Sequence, residues 1–221
     1  GMTNFEQVVL SNEMADTDAE FEFSHKQQKF GQIFTANTEM ISAVELKMKL
    51  IGTGGSGNYQ AELYEYDPVN GIVAEKLGYY SFDQRCALNE LASKTEEGFY
   101  NIPLAVKLVK GKQYVFFINN SEVQFNPLNT LKIYGYKKRY GNSTIVSVVN
   151  NRQRTKNGSF YFKIFGVKYT ENQGERVLTN AIIQDLGNGR GVYAYKQKGN
   201  FSDFLDIYEM YDQSTGKTNI F

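Results

Sequence analysis

Apolar and polar residues alternate along most of this chain with a period of two. Val44, Leu46, Met48 and Leu50 fall on one side of such a segment, and Glu45, Lys47 and Lys49 on the other. That pattern predicts a strand with one buried face. Tyr59–Tyr66 alternates again, and Asp67-Pro68-Val69-Asn70-Gly71 after it is a turn sequence. Further strands are predicted at 27–36, 72–80, 97–104, 112–119, 130–137, 144–150 and 159–169, separated by Gly/Asn punctuation such as Gly52–Gly57, Gly111, Gly141-Asn142 and Asn157-Gly158. Only 87–95 has a helical texture. Closely spaced strands with almost no helix predict an all-β fold, an antiparallel β-sandwich or jelly roll. Alternation argues against a parallel sheet, whose strands are apolar on both faces.

The texture changes after Tyr169. Thr170–Glu175 is polar, and strands are predicted at 176–185, 192–197, 204–211 and 218–221. Phe201, Phe204, Leu205 and Tyr208 are spaced as on a helix, but Asp212–Lys217 is a hairpin-like turn and favours a strand before it. The expected organisation is a sandwich over 1–170 and a C-terminal β meander over 171–221. A meander of that size is marginal alone, so it is expected to pack on the sandwich or on another subunit as a homo-oligomer contact.

Composition narrows the function. The 221 residues hold 24 basic and 24 acidic side chains, one Cys, one His and no Trp. A neutral chain is not a bulk polyanion binder, so no nucleic acid is expected. One Cys and one His exclude a cysteine-based zinc site and a multi-His metal site, and no cofactor is expected. The longest apolar run, Tyr114–Ile118, is far too short for a membrane helix. Gly1 ahead of Met2 reads as a non-native addition, and no secretory signal pattern follows it. The expected location is therefore cytoplasmic or virion-associated.

Several segments carry a family texture: Gln32-Ile33-Phe34-Thr35-Ala36, Ile41–Leu46, Ala61-Glu62-Leu63-Tyr64, Val109–Val115 and Phe160–Gly166. Over about residues 29–169 they resemble the β-sandwich accessory modules attached to many bacterial extracellular proteins. The resemblance implies a sandwich fold, with sugar binding or adhesion as in many members.

Charge is distributed unevenly. Residues 1–98 carry a net charge of −9, whereas 123–170 contain no acid and nine bases: Lys132, Lys137, Lys138, Arg139, Arg152, Arg154, Lys156, Lys163 and Lys168. With Leu131 and Ile133 inward, Lys132, Tyr134, Tyr136 and Lys138 point outward; with Phe160, Phe162 and Ile164 inward, so do Tyr161 and Lys163. Tyrosine faces stack on sugar rings and arginine forks hold oxyanions. Tyr134, Tyr136, Lys138, Arg139, Tyr161 and Lys163 are therefore the candidate ligand-binding residues, for carbohydrate and in particular an anionic glycan. The competing arrangement, commoner for long charged side chains, pairs these bases with acidic N-terminal strands across the sheet.

Other motifs carry less. The alternating Asp16, Asp18, Glu20 and Glu22 are oxygen-rich but lack the spacing of a calcium loop, and read as a strand with an acidic face. His25 and Cys86 sit in no nucleophile motif. Gly187-x-Gly189-x-Gly191 reads as a hairpin loop rather than a nucleotide loop. The expected function is a non-catalytic binding or adhesion module. The alternatives are a structural subunit of a phage tail, baseplate or surface assembly, and a glycan hydrolase or lyase with an unrecognised site.

Overall fold

The computed structural model describes residues 6–53, 55–83 and 98–167, and beyond them the strand segments 170–172, 175–177, 182–187, 190–194, 208–212 and 217–220. In chain order the first strands are β1 (Glu6–Asn12), β2 (Ala19–Glu22), β3 (Gln28–Thr35), β4 (Met40–Ile51), β5 (Ser56–Asp67), β6 (Ile72–Asp83) and β7 (Gly98–Lys107). They are followed by β8 (Gln113–Gln124), β9 (Thr130–Tyr136), β10 (Ile145–Val149), β11 (Arg152–Lys156), β12 (Ser159–Phe160) and β13 (Phe162–Val167). Seven of these form sheet I, in the order β1-β13-β4-β9-β12, with β2 also paired to β9 and β7 to β4. Six form sheet II, in the order β11-β10-β3-β8-β5-β6. All pairings are antiparallel, and the two sheets pack face to face as a β-sandwich.

The inner rows of both sheets supply the core. Val44, Leu46 and Met48 on β4 meet Phe34 on β3 and Phe116 on β8, together with Phe160 and Phe162. The Phe116 ring lies 5.9 Å from Phe160 and 5.7 Å from Phe162, within the range of favourable edge contacts. Each such ring contributes about 1.5–3 kcal/mol through burial.

The expected strand 159–169 is interrupted at Tyr161. The chain changes neighbours there: Phe160 pairs with Gly135 on β9, whereas Phe162 pairs with Leu46 on β4. Strands β1 and β11 lie outside the segments that the alternation predicts. The latter folds back from β10 through Asn150 and Asn151, whose φ angles of 49° and 65° make a two-residue turn of the type that matches strand twist. The expected helix at 87–95, and Cys86, lie outside the described residues.

Sheet II curls over its own outer face. Register shifts in β5 at Asn58/Gln60, Leu63/Tyr64 and Tyr64/Tyr66 bend that strand. The opposite edges come close enough for Gln153 Nε2 on β11 to donate to the Gly71 carbonyl before β6, at 2.8 Å. Inside the curl Ile33, Val115, Phe117 and Val146 form a second apolar cluster, flanked by Tyr64, Tyr66, Val73 and Val148. Gly31 makes room for it, because a Cβ there would stand 2.6 Å from the Phe117 ring. Glu62, 2 % exposed, pairs with Lys76 at 3.1 Å and Lys29 at 3.8 Å. The Lys29 ammonium lies 4.4 Å over Tyr64 and 4.5 Å over Phe117; burial lowers its pKa despite Glu62.

In the C-terminal part, β14 (Thr170–Asn172) and β15 (Glu175–Val177) pair as a hairpin. The strands β16 (Ile182–Gly187), β17 (Arg190–Ala194), β18 (Tyr208–Asp212) and β19 (Lys217–Ile220) form an antiparallel meander in chain order. The expected strand 176–185 is thus two strands, and β16 and β17 pair across the glycine-rich segment as a hairpin.

Candidate binding face on sheet I

The outer face of sheet I is built by alternation on its strands. On β4, Val44, Leu46 and Met48 enter the core, which turns Glu45 and Lys47 outward. Register places Lys163 of β13 and Asn101 of β7 on either side of Glu45, and Phe99 of β7 beside Lys47. Tyr161, at the β12–β13 break, donates its amide to the Tyr134 carbonyl at 3.0 Å and so lies beside β9.

These positions bring three rings around one ammonium. Lys47 Nζ lies 5.7 Å from the Tyr161 centroid, 5.8 Å from Tyr134 and 6.0 Å from Phe99, the distance at which a ring face attracts a cation. The Phe99 and Tyr161 rings meet at 5.3 Å. Phe99 is 50 % exposed, although a side chain of this kind is usually covered. Glu13 anchors one side: its Oε1 accepts the Tyr161 hydroxyl at 3.0 Å and pairs with Lys163 at 3.2 Å. Burial, and then the hydrogen bond to Glu13, push the Tyr161 hydroxyl up to about 12. It therefore stays a neutral donor at ordinary pH.

The six candidate residues do not form one group. Tyr134, Tyr161 and Lys163 converge on this face, although Tyr134 is only 9 % exposed, a correction to its expected outward display. Tyr136 is on the same face but is 2 % exposed, a correction to its expected outward display. The segment after β1 crosses over it: the Tyr136 hydroxyl accepts from the Met14 amide at 2.7 Å and donates to the Met14 carbonyl at 3.1 Å. Its ring stacks at 6.2 Å behind Tyr161, a support rather than a contact surface. Lys138 and Arg139 lie beyond the end of β9, where Arg139 Nε and Nη2 donate to Asn157 Oδ1 at 3.0 and 2.7 Å.

The acidic N-terminal strands do pair with part of the basic stretch. Lys132 meets Glu20 at 2.9 Å and Glu22 at 4.0 Å, and the hydrogen bond to Glu20 raises its pKa. Asp18 Oδ1 accepts the Lys137 amide at 2.8 Å. Glu20 and Glu22 of β2 are thus turned to Lys132, and no group of three or more metal-ligating side chains occurs among the described residues.

Sequence reasoning missed Phe99 and Glu13. Phe99 and Tyr100 are adjacent rings, so hydrophobicity alone does not say which of the two faces outward. Glu13 reaches Lys163 from 150 positions away in the chain.

No family model matches the chain, and no curated protein matches it. Among solved structures, it is similar to the clostridial cysteine protease Cwp84 after propeptide cleavage, at 13 % identity and a TM-score of 0.48. That alignment covers 74 % of this chain and 40 % of the protease chain.

Proposed function

We propose that this protein is a non-catalytic binding module for carbohydrate, with a preference for anionic glycans, and that the outer face of sheet I is the binding surface. The observation that carries the reading is the half-exposed Phe99 ring beside Tyr161, over Lys47 and next to Lys163. A sugar ring laid on this face gains apolar contact from Phe99 and Tyr161. Lys47 and Lys163 supply positive charge at its rim. Glu45 and Asn101, adjacent in register, supply hydrogen-bonding groups.

Affinity electrophoresis of the full chain through gels containing neutral or uronate- and sulfate-bearing polysaccharides tests this reading. Retardation by an acidic polysaccharide is expected, weakened by salt through screening of the lysines and abolished in Phe99→Ala. Absence of retardation in every gel, retention unchanged in Phe99→Ala, or turnover of a polysaccharide overturns it.

A further inference from the structure

A second, separate site lies at the edge of the sandwich, where the β10–β11 hairpin faces the turn between β2 and β3. Ser147 pairs with Arg154 and Val149 with Arg152, so all four side chains stand on the same face of the hairpin as Ile145. Ile145 belongs to the core, so the row continues from it on the inner side of sheet II. His25 closes the other side of a cavity of about 580 Å³.

The two arginines are uncompensated. Neither has a carboxylate within ion-pair distance or a hydrogen-bond partner among the described residues, in contrast to Lys132 and Lys163. Glu20 and Glu22 on neighbouring β2 are turned to Lys132 on the outer face of sheet I. Arginines two apart on a strand sit roughly 6.6 Å apart, close enough to converge on one group.

The opposite wall is held in place by its own hydrogen bonds. Gln28 Oε1 accepts the Ser24 and His25 amides at 2.7 and 3.0 Å, and Asn120 Nδ2 donates to the His25 carbonyl at 2.8 Å. The Asn150 amide donates to the Gln27 carbonyl at 2.9 Å and ties the hairpin tip to this turn. Ser24 Oγ engages His25 Nδ1 at 2.9 Å, which leaves Nε2 as the ring atom for a ligand. Holding the groups in advance lowers the ordering cost of binding.

We propose that this cleft binds a small oxyanion group, a phosphate, sulfate or carboxylate, through the guanidinium forks of Arg152 and Arg154, with His25 and the Ser147 hydroxyl completing the donor set. Guanidinium forks match oxyanions in a bidentate way, and no acid among the described residues lines the cavity to favour a cation. The site is independent of the sheet I face and stands whether or not that face binds sugar.

The test is an NMR titration of the full chain with inorganic phosphate, inorganic sulfate and glucuronate, each at constant ionic strength. Saturable shifts are expected at the Arg152 and Arg154 Nε–H and at His25, with none at the exposed Arg139. The ranking of the three anions assigns the group. Arg152→Ala with Arg154→Ala is expected to weaken binding at least ten-fold. Every β11 side chain is exposed, so the fold tolerates the change. Arg152→Lys with Arg154→Lys keeps the charge without the forks and is expected to give an intermediate loss. Phe99→Ala is expected to leave this binding unchanged. Shifts that fail to saturate, shifts of equal size at Arg139, or undiminished binding in the lysine pair overturn the proposal.

Discussion

On the outer face of sheet I, Phe99 is half exposed and leans on Tyr161 above Lys47. On the outer face of sheet II, Phe117 has no exposure at all, although it too lies under a lysine and beside a tyrosine. The ingredients are alike, and curvature separates them. Bulges in β5 and the absence of a side chain at Gly31 let sheet II fold over Phe117 and seal the face with its own residues. Sheet I leaves Phe99 at the surface, with Tyr161 partly exposed beside it. Aromatic and basic residues on an outer strand face therefore stay open to solvent only where the sheet does not fold over them.

This contrast can be broken in several ways. Phe117→Ala is expected to cost about 3–5 kcal/mol in denaturant unfolding, as for a ring removed from a core, whereas Phe99→Ala is expected to stay within about 0.5 kcal/mol of wild type. Similar losses at both positions would remove the distinction. Glu62→Gln leaves Lys29 against two rings without its counter-charge, and is expected to cost about 3 kcal/mol. Burial lowers the Lys29 pKa, so the charged form is the one the fold disfavours. The Glu62→Gln deficit should therefore shrink as pH rises toward 10 and Lys29 loses its proton. A deficit that is flat with pH would place the cost elsewhere.

A smaller effect appears in alkali. Tyr161 rises from the ordinary 10.0 to about 12, and burial raises Tyr59 as well. A tyrosine that keeps its proton longer in the fold than in the unfolded chain makes stability fall as pH rises. For Tyr161 that window runs from the unfolded value near 10 up to about 12. Thermal unfolding across this range, with Tyr161→Phe showing a shallower decline, checks it; an identical slope would contradict the shift. The smallest effect belongs to Lys132→Ala, expected at about 0.5 kcal/mol because its partner Glu20 is 54 % exposed. A loss well above 1 kcal/mol would show that the N-terminal acids do more than screen charge.

The fold was largely legible where one face of a strand was polar. On β4 the alternation of Val44, Leu46 and Met48 with Glu45 and Lys47 fixes both the strand and its orientation. The site was legible only in part. Tyr134, Tyr161 and Lys163 could be placed on one face by parity, but parity is blind to chain that crosses above, so the burial of Tyr136 under Met14 could not be read. Phe99 was hidden because the adjacent Phe99 and Tyr100 put an aromatic ring on each face of β7. The sealed face of sheet II was hidden for the same reason in β8, where Tyr114–Ile118 is apolar throughout. The Arg152–Arg154 cleft was out of reach because β11 has no apolar residue to mark it as a strand.

We propose that sheet I, not sheet II, offers its outer face to a ligand. Amide shift mapping with a short acidic oligosaccharide tests it most directly. Perturbations confined to residues 45–47, 99–101 and 161–163 are expected. Perturbations centred on 62–66 and 115–119, or none on either sheet, would rule out sheet I as the binding face.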